Sequence, residues 1–359
     1  MVRGNLRKLI DRLRIGYVFV AKCFAAALIY QRTRRVPAAV FESGTSGGTK
    51  AMNRTRRLFV LVQLVFSFVS FFRFGQAQIP QGSSSLSTIA VGPQYDTTHI
   101  YVAPSDVNAF VASFLGTFGG QSTKQVVATV TPTPSSTTSQ LLQTPVGTVS
   151  LFGFKTPIPA PFGAERTGYL ITNMDEAIKA ARASGAEVVV TPFPDPIGVD
   201  AVIRFPGGVM TQIYWHTKAP SYAPFAHVPE NRVYVSEDAA DMFLRSFLAF
   251  SGGAVVSDER TAPGDEIGKP GATFRRIQVG STFGKLVVFV TDGHLPYPYG
   301  CETTGYEVDD LTATLQKAKS FGAEVLVPPF NTHRRNSATV QFPGGYIAEI
   351  HSPASQGTH

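Results

Sequence analysis

The chain has 359 residues, 43% of them hydrophobic, a formal net charge of +7 and two cysteines. That length suits about two domains with buried cores, and two cysteines exclude a disulfide framework or a thiolate metal cluster. The charge does not point to nucleic acid: residues 1–77 hold 14 Lys+Arg against 2 Asp+Glu, whereas residues 78–359 hold 18 against 23, and a nucleic-acid-binding domain carries a basic stripe of its own.

Residues 1–51 contain an apolar run, Ile15 to Tyr30, broken by Lys22 and flanked by arginines. They read as an extension upstream of a true start at Met52, with a basic membrane-associated segment as the alternative. Residues 52–77 have the order of a secretory signal peptide: the basic run Met52 to Arg57, the apolar stretch Leu58 to Phe72, then small residues at Gly75 and Ala77. If retained, residues 58–72 would instead anchor the protein, although a full span takes about 20 residues. The expected location is therefore the periplasm or the exterior, with membrane contact only through this segment. Residues 78–94, rich in Ser, Gly, Gln and Pro, read as a linker.

From Tyr95 the pattern becomes regular. His99 to Ala103 alternates like a strand. Val107 to Phe118 follows as a helix with Val107, Phe110, Val111 and Phe114 on one face, stopped by Gly119-Gly120. Strand-like runs come next at Gln125 to Thr131, Ser139 to Gln143 and Thr148 to Phe154. A second unit opens at Thr167, has a helix capped by Asn173 that carries Met174, Ala177, Ile178 and Ala181, and turns at Gly185. Its strands are Glu187 to Thr191, Ala201 to Phe205 and Val209 to Trp215, the last two joined by Pro206-Gly207-Gly208. A third unit starts at Arg232, with a helix from Ala239 to Phe250 and strands at Thr273 to Val279 and Lys285 to Thr291. The fourth, Thr304 to His351, repeats the second.

The repetition is gapless. Gly168 recurs as Gly305, Gly185 as Gly322 and Phe205 as Phe342, each 137 residues on. Phe114-Leu115 recurs as Phe247-Leu248 at an offset of 133, which lays His99 over Arg232. The expected fold is α+β: four βαβββ modules paired into two tandem domains, residues 95–217 and 228–352.

Four such modules, with G-A-E-V helix ends and F-P-G-G hairpins, resemble the vicinal oxygen chelate superfamily, which includes glyoxalases, extradiol dioxygenases and bleomycin resistance proteins. The resemblance covers Tyr95 to Ser352. It implies a half-closed sheet around a cleft in each domain, and a divalent Zn, Fe, Mn or Ni held by His and Glu from first and fourth strands. Such a metal polarises adjacent substrate oxygens.

On these positions the resemblance places His99 and Gln212 as candidate metal ligands in the first domain and Glu349 in the second. The second domain has Arg232 where the first has His99, so a buried Arg232–Glu349 ion pair competes with a metal site. His351 shares a strand face with Glu349, and Glu302 or Tyr306 would join them from the neighbouring strand. Gln212, Tyr214 and His216 share one face of their strand, opposite Trp215, and suit ligand binding. Glu165 and Glu302, in the repeated G-x-E-x-T-G-Y, are candidate general bases or ties for the inter-module crossover. His294 and His333 fall in loops, and Cys301 reads as a small semi-buried residue.

Two functions stay open, beside the plainer option of an interaction scaffold. One is an exported glyoxalase-like enzyme with metal-dependent lyase, isomerase or dioxygenase-type chemistry on a small oxygen-rich molecule. The other is a metal-free module that binds a small molecule. Nucleic acid is not an expected partner of either.

Overall fold

The computed structural model describes residues 89–332 and 335–354. The extension, the signal or anchor segment, most of the linker and His333 lie outside these residues.

The first module comprises β1 (Thr97–Val102), α1 (Val107–Phe118), β2 (Gln121–Ser122), β3 (Val126–Ala128), β4 (Thr137–Thr144) and β5 (Gly147–Phe154). The second comprises β6 (Thr167–Leu170), α2 (Met174–Ala183), β7 (Glu187–Asp195), β8 (Gly198–Arg204) and β9 (Met210–His216). Together they form one sheet in the order β2-β4-β5-β1-β6-β9-β8-β7, with β3 also on β4. The third module comprises β10 (Glu230–Ser236), α3 (Glu237–Ser251), β11 (Ala254–Pro263), β12 (Thr273–Ser281) and β13 (Gly284–Thr291). The fourth comprises β14 (Thr303–Glu307), α4 (Leu311–Ser320), β15 (Glu324–Asn331), β16 (Arg335–Gln341) and β17 (Ile347–Pro353). Their sheet repeats the first, as β11-β12-β13-β10-β14-β17-β16-β15. The α+β reading with two paired sheets holds.

Local chemistry explains the elements. Asn173 Oδ1 accepts from Glu176 N at 3.1 Å and Asp310 Oδ1 from Ala313 N at 2.9 Å, so both helices of the longer repeat start on a side-chain cap. Gly185 and Gly322 leave those helices at φ of 85° and 88°, a conformation that L side chains rarely adopt. Two segments differ from expectation. The strand expected at Gln125 to Thr131 shrinks to the three residues of β3, because Pro132 and Pro134 follow and proline cannot donate to a ladder. The ten-residue β11 was not legible, since it is a mostly exposed edge strand with polar residues on both faces.

The cores lie between the sheets. Helix α1 packs on α4, and α2 on α3, so each core mixes residues of both domains. Phe110 and Phe114 meet Phe342, while Phe205 meets Phe243, Phe247 and Phe250. Each buried Phe is worth about 1.5–3 kcal/mol. The F-P-G-G hairpins supply Phe205 and Phe342 and dock on the opposite domain: a Cβ on Gly344 would come within 2.6 Å of Val102 Cγ1. With the helices on the inner faces, each sheet turns its other face into a cleft. Cys301 is exposed, not semi-buried, because its loop lies outside the sheet. Among the described residues no helix is long and apolar enough to cross a membrane.

Candidate ligand-binding cleft

Strand alternation sends Ile100 and Val102 into the inter-sheet core and Thr97, His99 and Tyr101 into the first cleft. Beside them, Gly168 on β6 pairs with Thr97 on one side and Gln212 on the other. A Cβ on Gly168 would come within 2.4 Å of His99 Nε2, 2.8 Å of Thr97 Oγ1 and 2.9 Å of Tyr214 Cε1. The repeated T-G-Y thus puts a glycine in the cleft floor so that side chains from both neighbouring strands can cross it. Gly305 does the same in the second cleft, where a Cβ would lie 2.7 Å from Glu349 Oε2 and 3.2 Å from Arg232 Cδ.

The first cleft encloses about 520 Å³. His99 is 2% exposed and meets the edge of Phe152 at 5.4 Å. Its Nδ1 lies 3.6 Å from Glu165 Oε1, and the Tyr101 hydroxyl donates to that same oxygen. Burial, then the Glu165 charge, pushes the Tyr101 hydroxyl well up, so it remains a proton donor. Among the described residues neither His99 Nδ1 nor Glu165 Oε2 has a hydrogen-bond partner.

Across the cleft, Gln212 Nε2 donates to Asp200 Oδ2 at 2.7 Å. Burial pushes the Asp200 carboxyl well up and Asp195 adds to this, against the Gln212 hydrogen bond. The Tyr214 hydroxyl donates to the Tyr95 carbonyl, and the Tyr214 ring lies 5.2 Å from His216. Burial pushes His216 down, so it is neutral near pH 7. Phe152, Phe154 and Phe162 complete an apolar wall.

The equivalent positions of the second cleft are filled. Glu230, Gly305 and Glu349 occupy the row held by Thr97, Gly168 and Gln212 in the first. Arg276 pairs with Phe289 as Ser139 pairs with Phe152, and Arg335 pairs with Pro353 as Gly198 pairs with His216. Three guanidinium–carboxylate pairs result: Arg232–Glu349 at 2.8 Å, Arg335–Glu230 at 2.7 Å and Arg276–Glu266 at 3.0 Å. Arg232 also stacks over Phe289 at 4.8 Å. Burial alone would push Glu349 up, but Arg232 and His351 outweigh it and hold the carboxyl well below its ordinary range.

Glu230, Glu349 and His351 present ligand atoms within 4.8 Å of one another, a metal-compatible spacing. The atoms are already engaged. Glu349 Oε2 carries both Arg232 and His351 Nδ1, each at 2.8 Å, and Glu230 Oε2 carries Arg335. As arranged, the cluster fits its arginines and not a resident divalent cation, which three guanidinium groups would repel. In the first cleft His99 and Gln212 share the cavity, but Asp200 holds the Gln212 amide, and no group of three acidic, His or Cys side chains converges there among the described residues.

The remaining expected residues divide. Tyr214 and His216 line the first cleft, and Arg232, Glu349 and His351 meet in the second. Glu302 and Tyr306 do not join Glu349, which corrects their expected place. Gly305 takes the cleft face of β14, so strand parity turns Tyr306 into the inter-sheet core, 3.1 Å from the Tyr346 hydroxyl. Glu302 turns to Thr167 Oγ1 at 3.4 Å, at the seam between domains. There burial pushes its carboxyl up to about 8, with Glu165 adding and Arg166 and Thr167 opposing. Tyr101, Asp195 and Asp200 were missed in the first cleft, although Tyr101 has the same strand parity as His99.

No family model and no curated protein matches the sequence. Solved structures do. A triple mutant of 4-hydroxymandelate synthase from Streptomyces coelicolor superposes with a TM-score of 0.50 at 13% identity, over 75% of this chain and 93% of that one. Lower scores come from 2,2',3-trihydroxybiphenyl 1,2-dioxygenase of Sphingomonas wittichii (0.47, 12% identity, 76% and 95% covered) and a Mn(II)-bound glyoxalase of Novosphingobium aromaticivorans (0.45, 12% identity, 74% and 83% covered). At such identities the likeness is one of fold. This chain has the fold of the vicinal oxygen chelate superfamily, built as two tandem domains.

Proposed function

We propose that this protein binds a small organic molecule in the first-domain cleft without a resident metal, and that the second domain is its structural partner. One contrast carries the reading: equivalent positions enclose a cavity of about 520 Å³ in the first domain and hold Arg232, Arg276 and Arg335 in ion pairs in the second. Phenylalanine walls with a few convergent polar groups are the usual make-up of a small-molecule site.

A second reading rests on the Tyr101–Glu165–His99 contacts. Glu165 holds a tyrosine proton beside a buried imidazole, an arrangement suited to moving a proton to or from a ligand seated on His99. That would make the protein a metal-independent lyase or isomerase. The basic and apolar pattern of residues 52–77 supports action outside the cytoplasm, which fractionation of the source cells would test.

A fragment screen followed by protein-observed NMR tests the binding site. Hits should shift resonances of His99, Tyr101 and Tyr214. Hits that shift only His351 and its neighbours would contradict it.

A further inference from the structure

The two clefts differ in where their positive charge comes from. In the second, Glu230, Glu266 and Glu349 each have a guanidinium at 3.0 Å or closer. The first also contains carboxyl groups, Asp195 at the end of β7 and Asp200 on β8, yet among the described residues no Lys or Arg lines its cavity. Arg166 lies over the Tyr101 ring at 5.8 Å but outside the lining.

The carboxyls sit in an aromatic setting. Asp200 pairs across the strands with Tyr214, and Gly198, three residues beyond Asp195, pairs with His216. Tyr222 reaches the same cavity from the connection after β9 and packs on Tyr95 at 5.4 Å. Burial disfavours the cationic form of His216, against the pull of Asp195, so it is a weak counter-ion for these carboxyls. Asp195 Oδ1 accepts from Ile197 N at 3.0 Å within its turn, and Asp200 Oδ2 accepts from Gln212, so both carboxyls are fixed without a counter-ion. Aromatic faces and the Asp195 carboxylate attract organic cations, and an ammonium group beside Asp200 would favour its ionised form, whereas an anionic ligand would meet no Lys or Arg among the described lining residues.

We propose that the first cleft takes a ligand with an organic ammonium group, seated between Asp195, Asp200 and the rings of Tyr214 and Tyr222. This rests on the reading of the first cleft as the binding site. The ligand supplies the positive charge that Arg232, Arg276 and Arg335 supply in the second domain. A carboxylate or phosphate ligand would have no cationic side chain among the described lining residues to offset Asp195, and the Phe152, Phe154 and Phe162 wall takes the hydrocarbon part.

Three size-matched probes test the proposal by NMR titration of the whole chain at pH 7: phenethylamine, uncharged 2-phenylethanol and anionic 3-phenylpropionate. Phenethylamine should bind the first cleft about tenfold more tightly than either of the others. That preference should shrink in Asp195→Asn and in Asp200→Asn, with unchanged second-domain resonances as the check on folding. If 2-phenylethanol or 3-phenylpropionate binds the cleft as tightly as phenethylamine, the ammonium proposal fails and the site stands. If none of the three shifts first-cleft resonances, the site fails and the proposal with it.

Discussion

Arg232 Nη1 lies 2.8 Å from Glu349 Oε2 in the second cleft, with both side chains 6% exposed, and the equivalent pair in the first is His99 and Gln212. The same two positions hold an ion pair in one domain and two neutral side chains beside an open cavity in the other. Removing one member of a buried pair strands the other charge. Arg232→Ala should therefore cost about 3–5 kcal/mol, whereas Arg232→Met with Glu349→Met should recover most of that loss. Chemical denaturation of the four-member cycle checks this, and an additive double variant would contradict it.

Arginines occupy the carboxylates of the acidic cluster that a metal would need. Arg232→His would remove one guanidinium and add an imidazole beside Glu230, Glu349 and His351. That set suits Zn or Mn. The variant should acquire about one divalent ion per chain on loading, measured by elemental analysis after dialysis, while the parent protein acquires none. Equal loading of both would show that the arginines do not exclude the ion.

Gly168 is in the cleft floor because a Cβ there would meet His99 Nε2 at 2.4 Å, Thr97 and Tyr214. Gly168→Ala should displace the His99 ring and cost about 1–3 kcal/mol. The His99 side-chain resonances and the melting temperature should both move. An unchanged His99 environment would contradict the packing.

Glu302 gives a pH signature. Its carboxyl is pushed from 4.5 up to about 8 in the folded protein. Between these values the folded state holds a proton that the unfolded state has lost, so stability falls as pH rises. Glu302→Gln removes that slope and should leave the protein more stable at pH 8, by about 1–2 kcal/mol after screening at the half-buried seam. Melting curves from pH 5 to 8 should diverge, with the parent falling below the variant, and parallel curves would refute the assignment.

Much of the fold was legible because the repeat carries its own punctuation. Asn173, Gly185 and their copies Asp310 and Gly322 mark helix ends, and the Phe205 and Phe342 hairpins mark strand ends. The Arg232–Glu349 pair was legible from the aligned copies alone. Other features depend on which strands become neighbours. Glu302 and Tyr306 were grouped with Glu349 as residues of the neighbouring strand, but the glycine between Thr304 and Tyr306 takes the cleft face and turns Tyr306 into the core. Arg276 and Arg335 come from strands with no marked motif and meet only through sheet register. The Asp200–Gln212 bond likewise forms across a hairpin whose register appears only in the folded sheet.

On the proposed function, the first cleft works without a metal while arginines engage the carboxylates of the second. Elemental analysis of the purified chain, with His99→Ala and Glu349→Ala beside it, tests this most directly. No stoichiometric metal is expected in any of the three, with fragment binding at the first cleft unaffected by chelator. One equivalent of metal in the parent chain, lost in either variant, would contradict it.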